Sequence, residues 1–148
     1  MAQTFSNTLF HFIFSTKERR PLIASEFRDP LFHYMGGIVR DLDGQSLGIN
    51  GMADHVHILA ELPPRVAVAA ALREIKAGSS RWIHERHRKD FAWQSGYAAF
   101  SVSRSNVPAV ARYIEQQEQH HRKFDFQKEL LSFLKKHEID YDPRYIWS

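Results

Sequence analysis

Four side chains have the types and the spacing to do chemistry together: His55 and His57, two apart, and Tyr113 and Gln117, four apart. In a strand alternate residues point the same way, so the two histidines project from one face while Val56, Ile58, Ala60 and Leu62 go to the other. Two neutral imidazoles side by side make half a metal site. In a helix, residues four apart lie one above the other, which puts the Tyr113 phenol and the Gln117 amide on one face. A divalent ion held by two imidazoles and an amide oxygen keeps its positive charge and has open positions for phosphate oxygens. It would stabilise a phosphoryl group under attack by the Tyr113 oxygen. A phenol has an ordinary pKa of ~10, so a base or the field of the metal must help it ionise. The product would be a phosphotyrosine, which stores the energy of the broken linkage and lets it be rejoined without a nucleotide.

Each of these residues also has a plainer reading. With nine histidines in 148 residues a chance pair is easy, and the pair alone would pass for polar residues on the open face of a sheet. Tyr34, Tyr97, Tyr141 and Tyr145 compete with Tyr113, but only Tyr113 has a metal-capable partner one turn on. Gln116 lies off the Tyr113 stripe, which favours Gln117. Glu118, His120 and His121 are given no role, and Asp54 reads as a turn aspartate with orientation of a ligand histidine as the alternative.

The elements that must position these groups follow from periodicity. Residues 5–16, aromatic and β-branched without alternation, read as a strand covered on both faces. Apolar residues from Phe27 to Leu42 recur at helical spacing, with a break expected near Pro30. Residues 45–51 and the strand from His55 form a hairpin. After Pro63 and Pro64, residues 66–86 are helical, with Val66, Ala69, Ala70, Leu72, Ile75 and Trp82 expected inside. A last strand covers 97–103, and helices cover 109–121 and 126–137. The order predicts an α+β fold, a ferredoxin-like split βαβ sheet (βαββαβ) with C-terminal helices carrying the tyrosine.

Composition narrows the class. A chain that is 43% hydrophobic and 25% charged can bury one core, so one domain over 1–148 is expected. The absence of cysteine excludes disulfides, thiolate metal sites and a cysteine nucleophile. No apolar run approaches the ~20 residues that cross a bilayer, and the start lacks a signal-peptide layout, so a cytoplasmic location is expected. A net charge of +3 permits a nucleic-acid partner without requiring one.

Five blocks in order carry a family likeness: His11 to Leu22 (HFIFSTKERRPL), Met52 to Leu59 (MADHVHIL), Ile75 to Arg81 (IKAGSSR), Trp93 to Tyr97 (WQSGY) and Tyr113 to Gln117 (YIEQQ). The chain resembles the IS200/IS605-type, single-tyrosine HUH transposases, including those associated with repetitive extragenic palindromes. The resemblance implies His55, His57 and Gln117 as metal ligands, Tyr113 as nucleophile, a Mg²⁺ or Mn²⁺ requirement, a homodimer, and single-stranded DNA with hairpin ends as substrate. Ala53 departs from the proline that many relatives carry, which touches only the hairpin turn. Family custom also leads us to expect composite sites, the tyrosine helix completing the partner's histidine pair.

Two readings of another class stand beside it. One is a catalytically silent, domesticated hairpin-DNA-binding protein on the same fold; the other is a sheet-based RNA-binding domain, which would want aromatics on an open face where this chain places histidines. Lys76, Ser79, Ser80 and Arg81, with Arg19 and Arg20, are the candidate DNA contacts, since cations with small hydroxyl residues suit a close phosphate backbone.

Overall fold

The structure, a computed structural model, describes residues 2–122 and 125–148. Along the chain run β1 (Leu9–Ser15), α1 (Ser25–Asp41), β2 (Gln45–Gly51), β3 (His55–Glu61), α2 (Val68–Arg86), β4 (Ala98–Ser101), α3 (Val107–Glu115), α4 (Gln117–His120) and α5 (Phe126–Lys136). The strands lie in the order β2-β3-β1-β4 with every neighbouring pair antiparallel. That is the split βαβ sheet expected, with β3 inserted between β1 and β2.

β1 starts four residues later than its apolar pattern predicts, and the reason lies in its partner. Leu9 pairs with Glu61, the last residue of β3. The Leu62 N–H still reaches the Thr8 carbonyl at 3.0 Å, but Pro63 and Pro64 then end the ladder. Phe5 is left 86% exposed. α1, in contrast, runs unbroken through Pro30. The carbonyl that loses its donor there belongs to Glu26, an exposed residue of the first turn.

One face of the sheet is carbon. Phe12, Phe14, Val56, Ile58 and Ala60 meet Phe27, Leu31, Met35 and Val39 of α1 and Leu72, Ile75 and Ile83 of α2. The start of α2 is rotated from expectation: Ala71 is buried and Ala69 exposed. The other face is covered in two patches, Leu9 and Leu59 by Ile114 of α3, and Ile13 and Phe100 by Phe126, Leu130 and Leu134 of α5. Between these patches lie the histidines. The β2–β3 turn that aims them depends on Gly51, where any Cβ would press onto the His55 carbonyl.

The expected single helix over 109–121 is broken into α3 and α4 at Gln116 (φ −95°, ψ 21°). Asn50 of β2 sits against this break, its Nδ2 donating to the carbonyls of Ile114 at 2.9 Å and Glu115 at 3.2 Å. The last carbonyls of a helix have no partner inside it, and here a strand side chain supplies one.

Candidate active site

His55 and His57 are both fully buried, 0% exposed. The carboxylate of Asp54 accepts from His55 Nδ1 at 2.7 Å. This holds the ring with His55 Nε2 aimed inward, so the turn aspartate orients the histidine. Neither nitrogen of His57 is idle. Its Nδ1 lies 2.8 Å from Nε2 of His11, and its Nε2 lies 2.9 Å from Oε1 of Glu129. Burial lowers the pKa of His57 to about 4 and that of His11 to about 3, so both rings are neutral near pH 7.

Tyr113 projects from α3 to the same place, its ring centroid 5.8 Å from that of His57. Its hydroxyl donates to Oε2 of Glu129 and lies 3.2 Å from Nε2 of His120. Burial, and next the Glu129 carboxylate, push the phenol well above its ordinary pKa, because a second anion there would be repelled. Gln117 is fully buried, with Oε1 3.2 Å from His55 Nε2 and 2.9 Å from His121 Nε2. The structure therefore brings His55, His57, Tyr113 and Gln117 together, although the helix break removes the single-helix stacking from which Gln117 was inferred. α3 turns back over its own sheet because Ile114 seats against Leu9, Leu59 and Val102. Tyr113 thus meets the histidines of its own chain, in cis.

Sequence reasoning missed Glu129, His121 and His11. The nearest potential ligand atoms of His55, His57, His121 and Glu129 lie within 4.8 Å of one another. Glu129 is the residue a closer look at periodicity could have found. It stands on the apolar stripe of α5, three residues after Phe126 and four before Phe133, where an acid has no reason to be unless it meets a partner. Hydrogen bonds from His121, His57 and Tyr113 outweigh burial and hold its pKa below the carboxylate range.

The candidate DNA contacts divide. Ser79 is fully buried, its hydroxyl donating to the Ile75 carbonyl and accepting from Trp93 Nε1. The Lys76 ammonium donates to the carbonyls of Gln94 at 2.7 Å and Gly96 at 2.8 Å, clamping the loop before β4. Ser79 thus faces inward on α2, while Lys76 is half-buried and commits its ammonium to that loop. Arg20 and Arg81 are exposed, Ser80 is half-buried, and Arg19 lies over the Trp147 ring at 5.0 Å.

A cleft of about 500 Å³ between α3 and α5 opens onto this cluster, with Tyr113, His120, Glu129 and His11 at its floor and Lys128 and Lys136 at its rim. A half-buried tyrosine, paired imidazoles and an open cleft thus share one place in the fold. Residues 4–117 match the family described as Transposase IS200 like. The chain belongs to that family. This transposase is 29% identical over 128 residues to the transposase for insertion sequence element IS200 of Salmonella typhimurium, covering 79% of this chain and 81% of that protein. It is 26% identical over 119 residues to the ISDra2 transposase TnpA of Deinococcus radiodurans, covering 73% and 82%. Its fold matches that of a REP-associated tyrosine transposase solved bound to a REP hairpin, with a TM-score of 0.61, 18% identity, and 82% and 74% of the two chains covered. Among the described residues no helix is long and apolar enough to cross a membrane.

Proposed function

We propose that this IS200-type transposase cleaves and rejoins single-stranded DNA beside hairpins, in a reaction that needs a divalent metal and passes through a 5′-phosphotyrosine on Tyr113. The observation that carries this reading is the convergence of the Tyr113 hydroxyl, His55, His57 and Gln117 on one point beside the open cleft that Tyr113 lines. The Tyr113 oxygen bonds to phosphorus as the bond from phosphorus to the 3′ oxygen breaks. The phenol gives up one proton and the departing 3′ oxygen gains one, so the step balances, and its reversal by a 3′ hydroxyl rejoins the strand.

The imidazoles suit Mn²⁺, Ni²⁺ or Zn²⁺ better than Mg²⁺, while the amide and carboxylate oxygens suit Mg²⁺ or Mn²⁺, so Mn²⁺ fits the whole donor set. His55 Nε2 is aimed inward by Asp54, and the Gln117 oxygen lies beside it. The buried Glu129 carboxylate is paired with histidines and, among the described residues, with no lysine or arginine. A divalent cation would balance that charge, and once bound would supply the positive field that a phosphoryl group under attack requires. A hairpin substrate is supported by the REP hairpin carried by the structural relative. Phosphate affinity is assigned to exposed cations such as Arg20 and Arg81.

The test is a labelled hairpin with single-stranded flanks, taken from the DNA around the gene, incubated with Mn²⁺ and run on a denaturing gel. A covalent adduct is expected with the native chain and none with Tyr113→Phe or His57→Ala, while both variants still bind the hairpin. Binding without any adduct from the native chain would favour the silent, domesticated reading. A mixture of the two variants stays inactive if sites are complete in cis. Recovery of adduct after subunit exchange would show that sites form across the homodimer that family custom implies.

A further inference from the structure

We propose that Glu129 is a bridging carboxylate: its Oε1 is the anionic ligand of the metal site, and its Oε2 holds the hydroxyl of Tyr113 in place for attack. The inference rests on the reading of His55 and His57 as metal ligands and Tyr113 as nucleophile. It adds a residue from outside the stretch matched to the family, which ends at 117.

The two oxygens face different groups. Oε1 lies 2.9 Å from His57 Nε2, 3.5 Å from His55 Nε2 and 3.3 Å from His121 Nε2. Oε2 accepts from the Tyr113 hydroxyl, and lies 3.3 Å from Gln117 Nε2 and 3.1 Å from His120 Nε2. One oxygen thus belongs to the imidazoles and the other to the phenol and its neighbours.

The helix that delivers this carboxylate is built to do so. Asp125 caps the start of α5, its side chain accepting from the Lys128 N–H at 2.9 Å. Phe126, Leu130 and Leu134 anchor the helix on Ile13 and Phe100 of the sheet. Phe126 also stacks on His55, with centroids 4.2 Å apart and planes 15° from parallel. Glu129 is carried inward on this face and is 4% exposed.

Two imidazoles and one carboxylate form a donor set well known for divalent ions that keep positions open to substrate. A carboxylate is a stronger ligand for such an ion than the neutral Gln117 amide, so Glu129 sets the affinity and Gln117 adjusts it. Because the same carboxylate grips the phenol, one buried side chain would link the nucleophile to the ion.

The experiment titrates Mn²⁺ into the full chain without DNA, by calorimetry and by loss of the free Mn²⁺ electron-resonance signal. The chains compared are native, Glu129→Ala, Glu129→Gln, Gln117→Ala, His57→Ala and Tyr113→Phe. Glu129→Ala and Glu129→Gln are each expected to weaken Mn²⁺ at least ~10-fold, and Gln117→Ala less than either, taking outer-shell effects of ~10–100-fold as the yardstick. Tyr113→Phe should leave affinity within about twofold. At saturating Mn²⁺ and DNA, Glu129→Ala should lower the rate of adduct formation without changing the KM for DNA. Glu129→Gln, whose amide oxygen can still accept from the phenol, should recover part of that rate.

Native Mn²⁺ affinity in the isosteric Glu129→Gln chain overturns the ligand role, even if Glu129→Ala fails to fold. Equal rates for the Gln and Ala variants at saturation overturn the positioning role, as does a Gln variant no slower than native paired with an equally unaffected Ala variant. If instead His57→Ala binds Mn²⁺ normally, or Tyr113→Phe still forms adduct, it is the underlying reading of the site that falls.

Discussion

The two faces of the sheet are built from the same strands one residue out of step, and they are stabilised in opposite ways. Phe12, Phe14, Val56 and Ile58 point to α1 and α2 and pack in an apolar cluster. His11, His55 and His57 point to α3 and α5 and touch nitrogen and oxygen. Both sets are equally out of reach of water, with exposures of 0–3%. On the first face burial is favourable by itself, at about 1.5–3 kcal/mol for each large side chain. On the second, burial is unfavourable until every polar atom has a partner, and each of these partners is a residue of the site. A slip of one residue in register would exchange the two faces.

The largest effect should come from breaking the carbon face. Phe12→Ala removes a ring that is 0% exposed and packed 5.6 Å from Phe10. It should cost about 3–5 kcal/mol of unfolding free energy, read by urea denaturation. The surviving folded fraction should still bind Mn²⁺, because the ring makes no contact across the sheet. Loss of Mn²⁺ binding from correctly folded chains would show that the two faces are coupled.

The second comparison is of stability between pH 6.5 and 4, where the histidine face should supply the decline. The folded values, about 4 for His57 and about 3 for His11, both lie below the unfolded value of 6.5. As pH falls through 6.5 the unfolded chain takes up protons that the folded chain refuses, so metal-free stability declines from pH 6.5 down to about 4. Glu129, held below its ordinary value, loses its own contribution only below about pH 4.5. For His57 alone the loss is of order 3 kcal/mol. Melting temperature against pH should show this slope, and His57→Leu should flatten it. An equally steep slope in the variant would place the acid sensitivity elsewhere.

The same contrast explains what the sequence made legible. Strand and helix identities depend on periodicity, which is local, and the βαββαβ order followed from it. His55, His57 and Tyr113 stood out through local spacing together with the family likeness of the blocks they lie in, neither of which needs long-range contacts. Glu129 did not stand out. It reaches His57 across 72 residues of chain, and nothing in the segment 126–137 says which strand its apolar stripe will cover. The start of β1 was set by Pro63 and Pro64, more than fifty residues away, and the break at Gln116 is met by Asn50. Lys76 and Ser79 looked like surface residues because a motif shows composition and not facing. In each case the deciding contact is long-range.

The smallest effect on stability, with a disproportionate one on function, is expected at Asn50, where the strand holds the tyrosine helix. Its amide bonds the last carbonyls of α3, one and two residues beyond Tyr113, and shares no atom with the histidine cluster. Asn50→Ala removes one side-chain cap at a half-buried position, which should lower stability by about 1 kcal/mol. Ile114, 0% exposed, still anchors α3, so the helix stays on the sheet. What changes is the freedom of its last turn, which carries Tyr113 on one side of the break and Gln117 on the other. A misplacement of about 1 Å is enough to cost on the order of 100-fold in rate when a nucleophile must meet phosphorus in line. Mn²⁺ affinity should change little, because His55, His57 and Glu129 are held by other elements. The expected pattern for Asn50→Ala is therefore a near-native melt, near-native Mn²⁺ binding and hairpin binding, and a slow adduct. Should the adduct form at the native rate, Ile114 alone would suffice to place the tyrosine, and the cap would serve only the fold.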